Sequence, residues 1–264
     1  MITALAAITT YLIATHRSLQ HARDPEQARQ AGLFLGMVAV LIHFAVHADA
    51  WRLAGAPSTH FFAALSLVGL GMAALTLVAS RTQRLEALGV VVFPLAALSL
   101  AAYAFAGGST ATGAVLDWRI QLHAWLALLA YATLALAALM AALLWFQDAA
   151  LRRHRVSPLL RALPPLTQVE TLLFRTIGAG FVLLTLALVT GVLFVEDLFA
   201  QHLAHKTTLS ALAWLVFGVL LLGRWRKGWR GRRAAQLTLS AMALLALAFF
   251  GSKFVLELVL QRGP

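Results

Sequence analysis

The chain has 264 residues, 61% hydrophobic and 12% charged, with a mean hydropathy of +0.83. That balance excludes a soluble domain and describes a single polytopic membrane domain over residues 1–264. The absence of cysteine excludes disulfides and thiolate metal sites, and the net charge of +11 needs an explanation in topology before nucleic acid is invoked.

An apolar run needs about 20 residues to cross a bilayer as a helix. Such runs fall at about 1–15, 31–48, 61–80, 88–106, 122–146, 173–195, 207–223 and 234–260, predicting an all-α integral membrane protein of eight transmembrane helices. The first run lacks a basic leader and a small-residue cleavage site, so it reads as a retained helix and not a signal peptide. Gly32 and Gly36 in the second allow close packing of helices, and Pro94 should kink the fourth. The longest polar connection, roughly Gln147 to Leu172, has room for one interfacial helix.

Lys and Arg alternate between connections. Arg17, Arg23 and Arg29 follow the first run, Arg81 and Arg84 the third, and Arg152, Arg153, Arg155 and Arg161 the fifth. Arg224, Arg226, Lys227, Arg230, Arg232 and Arg233 follow the seventh. The opposite connections hold Arg52, Arg119 and Lys206, with Lys253 and Arg262 near the end of the chain. Positive charge marks the cytoplasmic side, so both termini are expected on the non-cytoplasmic side of a bacterial inner membrane. The basic balance then reflects topology and anionic membrane lipid, and nucleic acid is not expected as a partner.

The histidines are one-sided as well. His43, His47, His60, His123, His202 and His205 fall at or near the expected outer face, and only His16, His21 and His154 lie on the Arg-rich side. Imidazole suits haem iron and transition metals, so the cluster points to a cofactor or metal reached from outside. His43 and His47 are four residues apart and share a helix face; His60 and His123 open helices; His202 and His205 lie in the short connection after Glu196 and Asp197. Arg52, Arg119 and Lys206 have the charge to meet a haem propionate, or to anchor the interface beside the nearby acidic residues. For His43, the only histidine well inside a run, the plain alternative is a hydrogen bond to a neighbouring helix.

Three stretches resemble the CcsA/CcmC-type cytochrome c assembly superfamily. They are Trp118-Arg-Ile-Gln-Leu-His123-Ala-Trp-Leu-Ala-Leu-Leu-Ala-Tyr131-Ala, then His205-Lys206-Thr207-Thr-Leu-Ser-Ala-Leu-Ala-Trp214-Leu-Val-Phe, then Gly228-Trp229-Arg230-Gly231-Arg232-Arg233-Ala234-Ala235 followed by Phe249-Phe250-Gly251. They occur in the family's order, and the size is most similar to the short YpjD-like branch. The resemblance implies haem binding and handling in support of cytochrome c biogenesis, with apocytochrome c or other assembly proteins as partners. His123 matches the first external haem-ligating histidine of that family. A second axial ligand would come from His205, His202 or His43, with Arg119 and Lys206 toward the propionates.

Two features differ from the family pattern. Residues 194–208 contain no tryptophan, and no histidine follows the last run. The alternative keeps the fold without haem: a permease-like or accessory component for divalent cations or another small solute, using His43, His47, His202, His205, Glu196 and Asp197 as an entry site. There is no phosphate-binding loop and no catalytic Ser/His/Asp arrangement, so no enzymatic activity of its own is expected. A third reading is a scaffold that has lost its haem and serves as a structural partner.

Overall fold

The computed structural model describes residues 1–19, 25–54, 60–82, 86–105, 117–152, 165–194, 201–251 and 254. Among them the secondary structure is helical throughout: α1 (Ile2–Leu19), α2 (Pro25–Ala54), α3 (Phe61–Thr82), α4 (Glu86–Phe105), α5 (Trp118–Arg152), α6 (Leu166–Phe194), α7 (Gln201–Lys227) and α8 (Gly231–Ala246), the last running into a π-helical turn at Leu247–Gly251. The chain divides into two compact units, Met1–Leu116 with α1–α4 and Asp117–Pro264 with α5–α8.

Every helix from α2 to α8 contains a stretch long and apolar enough to cross a membrane. The first helix is the eighth of the set and falls short by composition, since its apolar residues are interrupted by threonines, Tyr11 and His16-Arg17. Four of its hydroxyls are nonetheless satisfied within the helix. Thr9, Thr10, Thr15 and Ser18 each donate to a carbonyl one turn back, which removes the cost of an unpaired donor in an apolar surrounding. Ala4, Ala7, Tyr11 and Ala14 form its buried stripe, against α2 and α4.

Several boundaries differ from those expected. Helix α5 spans 35 residues and takes in Gln147, which is buried in it and is not part of a polar connection. Helix α7 begins at Gln201, so His202 and His205 lie in its opening turns and not in a loop. A polar residue at a helix end is invisible to a hydropathy run, which is why the apolar count begins later. The last run was expected to reach 260, of which the described part ends at Gly251 and Phe254. Helix α4 is continuous through Pro94.

In the first unit the small residues mark close approach. A side-chain carbon on Gly32 would stand 3.0 Å from Ser18 Oγ, and one on Gly36 would meet the Phe93 ring at 2.6 Å and Leu77 at 3.1 Å. In the second unit α5 packs against α6 and α8, and α7 against α6 and α8. Helix α6 buries Val169, Leu172, Leu173, Ile177, Gly180, Leu184, Ala187 and Gly191, an apolar stripe at three- and four-residue spacing. Gly180 receives the Leu134 side chain of α5, whose tip would stand 2.5 Å from an added carbon.

The π-helical turn joins two of the segments singled out in the sequence. Tyr131 Oη donates to the Leu245 carbonyl at 2.6 Å, and its ring meets Phe249 and Phe250 with centroids 5.7 and 5.8 Å away. A change from α to π hydrogen bonding disturbs the regular pairing of carbonyls, and a buried side-chain donor beside that junction supports it. Tyr131→Phe keeps the ring and removes the donor, so it is expected to lower stability by about 1–2 kcal/mol, read as a lower unfolding midpoint in detergent.

Candidate functional site at the histidine end of the second unit

Helix α6 sets the depth scale of this unit. Glu170 near its start meets Arg224 and Arg230, whereas Thr190 and Gly191 near its end meet His123. The 20 residues from Glu170 to Thr190 rise about 30 Å at 1.5 Å per residue, the thickness of a hydrocarbon core. The basic residues and His123 therefore stand at opposite ends of the unit.

His123 sits in the second turn of α5, half-buried against α6. Its Nδ1 lies 2.9 Å from the Ala187 carbonyl oxygen and 3.3 Å from Thr190 Oγ1. A carbonyl only accepts, so Nδ1 carries the proton and donates. Thr190 directs its own hydroxyl hydrogen to the Leu186 carbonyl at 2.8 Å or to that of Ala187 at 3.0 Å, which leaves its oxygen free to accept from His123. The neutral tautomer is thereby chosen: Nε2 holds a bare lone pair and has no hydrogen-bond partner among the described residues. Such an outer-shell bond from one ring nitrogen is how proteins present the other to a metal.

Gly191 makes the approach possible. A side-chain carbon there would stand 3.1 Å from His123 Cε1, tight enough to shift the ring. At the same ends of α5 and α6, Trp118 is exposed and its ring lies 6.2 Å from that of Phe194, while the Arg119 guanidinium lies 5.8 Å over Trp118. Arg119 is four residues before His123 and shares its helix face. One turn deeper, Trp214 of α7 stacks on Phe181 at 5.4 Å and donates to Thr185 Oγ1 at 2.9 Å. Residues 194–208 hold no tryptophan, yet Trp118 and Trp214 supply indoles from α5 and α7.

The other expected site residues are distributed as follows. His205 is exposed and Lys206 half-buried in the opening turns of α7, whose packing partners include α6. His202 is also in α7, but its side chain lies outside the described residues, as do Glu196, Asp197 and Glu257. His43 belongs to the first unit, where both ring nitrogens are engaged: Nδ1 with Tyr11 Oη at 3.2 Å and Nε2 with Ser66 Oγ at 2.9 Å. The plain alternative, a hydrogen bond to a neighbouring helix, is what His43 makes, twice. Among the described residues no three His, Asp or Glu side chains converge as a metal site, and Glu196, Asp197 and the His202 side chain of the divalent-cation reading lie outside them.

These features define a multi-pass helical membrane protein with a poised imidazole at one end. The chain belongs to the cytochrome c assembly protein family, whose model matches residues 58–260. It is 32% identical over 232 residues to the inner membrane protein YpjD of Escherichia coli K12, covering 85% of this chain and 88% of that one. Shorter matches join it to cytochrome c biogenesis protein CcsA: 30% identity over 86 residues in Synechococcus sp. CC9605, and 33% over 90 residues in Prochlorococcus marinus. These cover 32% and 33% of this chain, and 28% and 29% of the CcsA proteins. No solved structure matches. The protein is thus a multi-pass inner-membrane protein, and its family supports a role in cytochrome c biogenesis.

Proposed function

We propose that this protein binds haem through His123 and handles it for cytochrome c assembly, with the site facing the non-cytoplasmic side. The observation that carries the reading is the tautomer of His123: Nδ1–H is committed to Ala187, so Nε2 is a ligand for iron without rearrangement. The donor set fits the group. Trp118 and Phe194 offer apolar ring surface, and Arg119 offers a guanidinium for a propionate. Lys206 would be a second cation for that role, and His205 or His202 of α7 would supply a second ligand.

Bound haem would supply the iron centre and the vinyl groups that a partner's thiols attack; the protein's own task is to bind, orient and present. In this reading it has no enzymatic chemistry of its own, and its partners are apocytochrome c or other assembly proteins. Haem captured by the purified protein, with a Soret band that depends on His123, tests the ligand.

The orientation is tested separately. Because the chain contains no cysteine, single cysteines can be introduced without a background thiol. Arg119→Cys in whole cells is expected to react with a membrane-impermeant maleimide, and Arg226→Cys only after the membrane is opened. The reverse pattern would place the histidine end in the cytoplasm and overturn the proposed facing of the site.

A further inference from the structure

The first unit contains a chain of polar side chains that the site at His123 does not use. His47 of α2 is two residues from Asp49, at the polar end of its span, and its Nε2 lies 2.9 Å from Ser66 Oγ of α3. The same oxygen lies 2.9 Å from Nε2 of His43, one helical turn further from that end. His43 Nδ1 in turn lies 3.2 Å from Tyr11 Oη of α1. His43 and Tyr11 are both 0% exposed, whereas His47 is half-buried. At the polar end the rings continue as a stack: Tyr103 on His47 at 4.6 Å and His60 on Tyr103 at 5.6 Å.

We propose that His47, Ser66, His43 and Tyr11 form a proton path from the polar end of this unit to its buried centre. Each member can both donate and accept, and the three contacts can be filled in two opposite senses. In one sense Tyr11 donates to His43 Nδ1, His43 Nε2–H donates to Ser66, and Ser66 donates to His47 Nε2. In the other, His47 Nε2–H donates to Ser66, Ser66 donates to His43 Nε2, and His43 Nδ1–H donates to Tyr11.

In the second sense a proton taken up at His47 Nδ1 releases Nε2–H to Ser66, whose own proton passes to His43 Nε2; His43 is then the imidazolium, with its Nδ1–H held by the Tyr11 oxygen. The return of a proton by the same route restores the chain, so exchange with solvent balances with no other reactant. Helix packing alone does not require these residues. Serine or threonine pairs join membrane helices for well under the cost of placing two imidazoles there, and ionisable side chains in a span point to function.

The test is exchange at the buried imidazole. Histidine-15N-labelled protein in lipid nanodiscs is moved to D2O, and ring N–H exchange is followed by NMR, with the His43 signal identified by its loss in His43→Asn. The wild-type protein is expected to exchange His43 at a rate close to that of His47. Ser66→Ala is expected to slow His43 by roughly tenfold or more while sparing His47, since one link of a hydrogen-bonded chain is lost. His47→Phe, which leaves Ser66 in place, should slow His43 as well and decides the matter if Ser66→Ala does not fold. His43 exchange that is unchanged by either substitution, or fully blocked in the wild type, would overturn the path and leave a static packing network.

Discussion

Replacement of His123 by alanine is expected to abolish the Soret band of protein purified with haem. The argument rests on one lone pair. Nδ1–H is held by the Ala187 carbonyl at 2.9 Å, so in the proposed site His123 would meet iron through Nε2 with its ring already oriented. Loss of an outer-shell partner of a metal ligand typically lowers affinity by about 10–100-fold, and loss of the ligand itself is expected to exceed that.

Thr190→Val keeps the ligand and removes a secondary acceptor, so it should weaken haem binding by about tenfold or less, at the low end of the outer-shell range. Imidazole added to His123→Ala should restore a low-spin spectrum if the pocket is otherwise intact. An unaltered spectrum in His123→Ala would remove this histidine from the site. Absence of haem from the wild type, even after haem is supplied, would defeat the haem reading while leaving family membership untouched.

Glu170→Ala is expected to destabilise the basic end of the second unit by about 1–3 kcal/mol, through a corner that the Gly-Trp-Arg-Gly-Arg-Arg string builds. Glu170 Oε1 accepts from Arg224 at 2.8 Å and lies 3.7 Å from Arg230. Breaking a fully buried ion pair costs about 3–5 kcal/mol. Here the Glu170 side chain is 14% exposed and Arg224 27%, so solvent screening reduces the figure. Arg224 is also held over the Phe174 ring at 4.6 Å and donates to the Trp229 carbonyl at 3.3 Å, so its charge would stay in place without a counter-ion.

The turn itself depends on backbone geometry. Gly228 and Gly231 both take positive φ, 62° and 58°, and the Gly228 amide closes α7 on the Arg224 carbonyl at 3.1 Å. The Trp229 ring lies directly against Gly223, where a side chain has no space. Gly223→Leu should therefore displace Trp229 and cost about 1–3 kcal/mol, as overpacking does. Unfolding midpoints of both variants in detergent check the corner, and midpoints equal to the wild type would show that Glu170 and Trp229 do not hold it.

The eight helices, the alternating positive charge and the order of the family-like stretches were legible in the chain because they rest on composition and length. Lipid demands long apolar runs, and loop charge follows the side of the membrane, so both leave marks that need no tertiary contact. His123 was singled out by its resemblance and not by spacing. The glycines of the basic string could be read as turn residues only once α7 was seen to end on Gly228.

What the tertiary structure alone decided are the partners. The acceptor that selects the His123 tautomer is a backbone carbonyl 64 residues away, and carbonyls carry no sequence signature. The same holds for the Leu245 carbonyl that meets Tyr131 across 114 residues. His43 looked like a ligand candidate because a hydropathy run does not show what faces it; Tyr11 and Ser66 come from two other helices, and only packing brings them to its two nitrogens. The sequence by itself determined that this protein lives in a membrane and which residue types it places at each end. The packed helices determined which imidazole keeps a free lone pair and which has none, because that depends on hydrogen-bond geometry between segments distant in the chain.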